Sequence, residues 1–269
     1  MKTVKIFLTA ACIALAANSA LAAGNGAGNS GAGASFQGTA AIVSQLPYEE
    51  LSQAEQDGLI KMREEEKLAR DVYSHLYDLW QEPVFSRISN SEQRHMDAVG
   101  ALLAKYGLLD PVDGMAPGQF NSAEMQDLYT SLTQKGAAGL QEALLVGATI
   151  EDLDIKDLEE LLAGTDNQDI QTVYQNLVKG SRNHMRAFAS RLAAIGVSYE
   201  ARFLTQDQVD AIIGSPWERG RVDKDGNMVS GPGHSGSRGH RHGSASEGPG
   251  TRPNFTDLDG DGICDNMNK

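Results

Sequence analysis

Between residues 47 and 213 apolar residues recur at alternating three- and four-residue steps, and no stretch alternates with a period of two. That spacing keeps one face of a 3.6-residue helix apolar, so it predicts helices throughout and no sheet. The first is expected over Ser52–Gln81, opened by a capping box in which Ser52 is followed three residues later by Glu55. A second is expected over Ser86–Tyr106, closed by Gly107, since a glycine readily takes the left-handed C-cap conformation. A shorter helix near Ser122–Lys135 ends at Gly136; long helices follow over Gly139–Ala163 and Asn167–Ile195, and a last short one covers Gln206–Ile213. Four long helices, each rising ~1.5 Å per residue, predict an all-α, antiparallel four-helix bundle roughly 30–45 Å long, with short accessory helices.

The seams of these helices are not uniformly apolar. On the first, Leu59, Met62, Glu66, Ala69, Tyr73, Leu76 and Trp80 share one face, which places an acid in the middle. The second aligns Ile88, Glu92, His95, Val99, Leu102 and Tyr106; the third Leu144, Gly147, Glu151, Asp154, Leu158 and Leu161. The fourth aligns Ile170, Val173, Leu177, Ser181, His184, Phe188, Leu192 and Ile195. All four are apolar at both ends and polar at the centre. An unpaired buried carboxylate costs several kcal/mol, so acids and imidazoles gathered in one core need a compensating cation. Carboxylate oxygen mixed with imidazole nitrogen suits iron, manganese or zinc better than calcium. Taken singly, each group has a plainer reading: Glu64-Glu65-Glu66 as a solvated face, Glu92 and His95 as a surface pair, His184 as a satisfied core histidine. Glu151 and Asp154, with Asp152 and Asp157, could form an exposed acidic stretch. A core braced by salt bridges to Arg70, Arg94, Arg182 or Arg186 is the alternative to metal.

Composition alters the picture at the two ends. Residues 1–22 combine Lys2 and Lys5, an apolar run from Ile6 to Ala17 and the small-residue pattern Ala20-Leu21-Ala22, as a secretory signal peptide does. Export to the periplasm or the extracellular space is therefore expected, and no span crosses the membrane because no apolar run approaches roughly 18–20 residues. Residues 23–46 read as a flexible leader of Gly, Ala and Asn, and 214–253 as a disordered Gly/Ser/His linker containing His234, His240 and His242. The formal charge of −13 argues against nucleic acid as a partner. Cleavage after residue 22 would leave only Cys264, so no intramolecular disulfide braces the mature chain.

In the tail, residues 254–269, Asp257, Asp259, Asp261 and Asp265 place oxygen ligands at the spacing of the opening half of a calcium loop, with Gly262 at its sixth position. The twelfth position is Asn268 rather than a bidentate Glu, so the motif looks more like the thrombospondin type 3 or dockerin-like calcium repeats, with weak affinity expected. Asp223-Lys224-Asp225-Gly226-Asn227 is a poorer echo and reads as a turn.

Glu66-Lys67-Leu68-Ala69-Arg70-Asp71-Val72-Tyr73 is similar to the Glu-x-x-Ala-Arg-x-x-Tyr signature of the first bundle helix of rubrerythrins, and Glu92-Gln93-Arg94-His95 to their second-helix Glu-x-x-His. Glu151-Asp152-Leu153-Asp154 resembles the acidic pair of their third helix. The whole span 47–213 resembles the ferritin-like family catalogued as domain of unknown function 2202, in the blocks Met62–Arg70 and Gly180-Ser181-Arg182-Asn183-His184. The resemblance implies a ferritin-like bundle with Glu66, Glu92, His95, Glu151, Asp154 and His184 around iron or manganese, dinuclear or mononuclear. Ser181 stands where rubrerythrins carry a Glu, which implies an open position or weaker binding of a second metal. Their four-Cys iron–sulfur module is missing. Two functions follow as expectations: oxygen, peroxide or ferrous-iron chemistry, with Tyr73 as a relay or a structural aromatic, or a non-catalytic, calcium-dependent binding module on a metal-stapled bundle.

Overall fold

Ser52 caps the first long helix as its sequence predicts: its Oγ accepts the Glu55 amide while the Glu55 carboxylate accepts the Ser52 amide at 2.7 Å. The computed structural model describes residues 38–229, which are all-helical apart from an isolated bridge between Val222 and Met228. Its helices are α1 (Thr39–Ile42), α2 (Gln53–Trp80), α3 (Pro83–Tyr106), α4 (Ala123–Gly136), α5 (Leu140–Ala163), α6 (Gln168–Ala194) and α7 (Gln206–Gly214). A single 3₁₀ turn, Val43–Gln45, follows α1. Pro83 opens α3, where its missing N–H costs nothing, and Gly107 ends that helix at φ 67°. α2 ends instead on Gln81 in the left-handed conformation at φ 51°, with its side-chain amide bonded to the Tyr77 and Asp78 carbonyls. No described helix is long and apolar enough to cross a membrane. The candidate signal peptide and the aspartates Asp257, Asp259, Asp261 and Asp265 lie outside the described residues.

α2 packs along α3 and α5 along α6, and the two pairs meet through α3 with α6 and α2 with α5. α4 covers α2 and α5, while α7 rests on α6. The shared core takes the seam residues forecast above, including Leu59, Met62, Ile88, Leu102, Leu158 and Leu192, all fully buried. Beside the polar centre Tyr73, Phe85 and Phe188 form an aromatic cluster with ring centroids 5.4 to 6.4 Å apart. Gly147 admits it: a Cβ there would lie 2.4 Å from the Phe188 ring. Burying each such ring stabilises the fold by roughly 2–3 kcal/mol.

The packed region extends beyond 47 and 213 on both sides. Val43 is buried, and Lys105 donates to the Val43, Leu46 and Pro47 carbonyls while pairing with Asp169 at 2.6 Å. After α7 the chain turns back along α6, where Glu218 receives Arg182 and Arg186, and Asn176 exchanges two hydrogen bonds with the Val222 backbone. The Asp223–Asn227 segment is a turn: Asp223 Oδ1 accepts the amides of Asp225 and Asn227, with Gly226 at φ 78°. The loop between α3 and α4 is tied down by Arg63 on Asp110 and by a buried pair, Lys67 and Asp71, that also binds the Ala116 carbonyl and the Gly118 amide.

Candidate metal centre

Midway along the helices, five of the six expected ligands converge. α2 presents Glu66; α3 presents Glu92 and His95 one turn apart; α5 presents Glu151 and α6 presents His184, all buried, with Glu66, Glu151 and His184 at most 1% exposed. They divide into two groups, Glu66 with Glu92 and His95, and Glu92 with Glu151 and His184, and within each group the candidate ligand atoms lie within 4.8 Å of one another. Glu92 serves both. Its Oε2 is 2.8 Å from His95 Nδ1 and its Oε1 is 2.9 Å from His184 Nδ1. Glu66 Oε2 lies 3.2 Å from His95 Nδ1, and Glu151 Oε2 lies 3.3 Å from His184 Nδ1. The imidazoles stack at 5.5 Å.

Two atoms identify what this arrangement lacks. His184 Nδ1 has carboxylate oxygens at 2.9 and 3.3 Å, yet neither is aligned for a hydrogen bond, and Glu66 Oε1 is buried with no partner. Buried polar atoms are ordinarily satisfied; His95 Nδ1 and Glu66 Oε2 do hydrogen-bond each other, but the two atoms left over suit a cation placed among them. The residues therefore fit a metal. The arginines suggested as alternative partners point elsewhere in three cases: Arg70 to Asp71 and Gln93, Arg182 and Arg186 to Glu218.

The electrostatics agree. Burial, reinforced by the Glu92 charge and only partly offset by His95, pushes the Glu66 carboxyl up to about 8. Glu151 and Asp154 are likewise raised, each chiefly by burial. For His184, burial works the other way, but the Glu92 and Glu151 carboxylates prevail and hold the imidazole up to about 10.

Asp154 stands apart from both groups. Its carboxylate accepts the Ser181 hydroxyl of α6 at 2.5 Å. Tyr73 of α2 donates to Glu151 Oε1 at 2.5 Å. Sequence reasoning missed two supporting positions. Ser91, buried, lies 2.9 Å through its Oγ from His184 Nε2, and Gly180 leaves room for His95, whose Nε2 would be 2.5 Å from a Cβ at that position. The plainer alternative of an exposed acidic stretch fails at Asp152, which is wholly buried and binds the segment leading into α7.

The chain is 51% identical, over 178 residues, to Uncharacterized protein MJ0754 of Methanocaldococcus jannaschii, a match spanning 66% of this chain and 96% of that one. It is similar also to the crystal structure of hypothetical protein MJ0754 from Methanococcus jannaschii, with a TM-score of 0.63 and 50% identity, covering 64% of this chain and 99% of the other. The family model described as Uncharacterized protein domain (DUF2202) matches residues 55–216, and the chain belongs to that family.

Proposed function

We propose that this protein is an exported, ferritin-like four-helix bundle in which α2, α3, α5 and α6 enclose a carboxylate–histidine centre for two iron or manganese ions, acting in oxidant or iron chemistry. The observation that carries the reading is the pair of ligand groups sharing Glu92 at the buried centre, with His184 Nδ1 and Glu66 Oε1 lacking hydrogen bonds. Glu66 and His95 would hold one ion, Glu151 and His184 the other, and Glu92 would contribute an oxygen to each. A bound redox metal would supply electron transfer to oxygen or peroxide. The chain's own part is to keep the ligands dry and aligned: Tyr73 holds Glu151, and Ser181 holds Asp154 beside the centre. In this reading the acidic tail binds calcium separately.

Loading the protein anaerobically with ferrous iron and then admitting oxygen or peroxide tests the chemistry. Conversion of bound ferrous to ferric iron faster than in protein-free buffer is expected, and Glu92→Ala should abolish the acceleration. Iron that binds but never cycles would leave the second reading, a non-catalytic calcium-dependent module whose bundle is only stapled by metal.

A further inference from the structure

An imidazole that ligates a metal uses one nitrogen and must place the proton of the other, and that second contact decides which nitrogen is free to bind. The two histidines of this centre meet that requirement differently. His184 Nε2 has the Ser91 hydroxyl at 2.9 Å, and both side chains are fully buried. Its Nδ1 faces Glu92 and Glu151. His95 turns its Nε2 against the α6 backbone at Gly180, where even a methyl group would not fit. Its ring is held by close packing on that glycine together with the Nδ1 hydrogen bond to Glu66 Oε2.

We propose that Ser91 is the positioning residue of the Glu151/His184 half of the centre: by accepting the Nε2 proton it fixes the tautomer in which His184 offers Nδ1 to metal. The assignment rests on the metal-binding reading above. Ser91 immediately precedes Glu92, so one turn of α3 supplies both the carboxylate common to the two groups and the anchor for the imidazole that α6 contributes. With Ser91 absent, the Nε2 proton has lost its acceptor, and the competing tautomer, protonated on Nδ1 toward two carboxylates, gains. That tautomer cannot ligate through Nδ1. His95 has no part in this contact, so the other half of the centre is untouched.

The test is a titration of the full chain with cobalt(II), wild type beside Ser91→Ala, with melting temperatures recorded metal-free. Wild type should take two equivalents at the centre; Ser91→Ala should bind one of them about 10–100-fold more weakly and the other unchanged. Nitrogen-15 imidazole spectra of zinc-loaded wild type provide a reading independent of any variant, and should show the His184 proton on Nε2. Ser91→Ala binding both equivalents as tightly as wild type, weakening spread equally over both, or a His184 proton on Nδ1 would each overturn the assignment while leaving metal binding intact. Wild type that binds no cobalt at the centre overturns both.

Discussion

Asp152→Ala is expected to destabilise the protein by about 3–5 kcal/mol, a cost typical of breaking a buried charged hydrogen-bond network. The Asp152 carboxylate is fully buried and accepts four hydrogen bonds: the Tyr199 hydroxyl at 2.8 Å and the amides of Arg202, Phe203 and Leu204 at 2.6, 3.1 and 2.8 Å. It thereby fixes the chain that connects α6 to α7 onto α5. Removing the acceptor leaves a buried hydroxyl and three amides to find water, each at about 1–3 kcal/mol where water cannot reach. Asp152→Asn keeps the shape but turns one acceptor into a donor facing N–H groups, and should fall between wild type and the alanine variant. Urea unfolding measures both, as a lower midpoint at unchanged slope. Because Asp152 points away from the centre, metal affinity should hardly move.

Stripping the metal is the second large effect. A cation that binds the folded chain at 100 to 1,000 times its dissociation constant adds about 2.7–4.1 kcal/mol per site. For a domain of this size each kcal/mol is roughly 2–4 °C, so a chelator strong enough to empty both sites of the centre should lower the melting temperature by roughly 10–30 °C. The effect should depend on pH with a definite sign. Glu66 is pushed up to about 8 by burial, and His184 is held up to about 10 by Glu92 and Glu151 against burial. Both have folded values above their usual ones, so metal-free they favour folding at low pH and lose that contribution as pH rises through the folded values. Metal binding requires those protons to leave. The gap between metal-loaded and metal-free melting temperatures should therefore widen from pH 6 to pH 8, and a gap that narrows would contradict this account.

The helical periodicity carried most of the fold because each long helix buries one stripe, and ends are marked by residues with local chemistry, as Ser52 with Glu55 opening α2 and Gly107 at positive φ closing α3. The same periodicity exposed the centre, since Glu66, Glu92, His95, Glu151 and His184 fall in phase with apolar neighbours. What escaped it depends on contacts across long sequence separations. Asp152 looked solvated beside other acids, yet α5 is covered on a second face by the segment entering α7, and nothing local announces that. Its apolar neighbours on that second face, Ala148 and Ile155, were the only signal. Ser91 and Gly180 are small residues whose value lies in what they allow the histidines to do, which pattern reading cannot price. The stretch after residue 213 looked like spacer because its composition is polar, but Glu218 and the Val222 backbone are partnered by Arg182, Arg186 and Asn176 of α6.

The central claim is the metal centre, and its most direct test is metal content per chain of protein purified without chelator, wild type beside Glu92→Ala/His95→Ala, with calcium counted separately. The account predicts two equivalents of iron or manganese in wild type and their loss in the variant, since Glu92 belongs to both ligand groups. Wild type that carries stoichiometric calcium alone, in an amount the two substitutions leave unchanged, would contradict it.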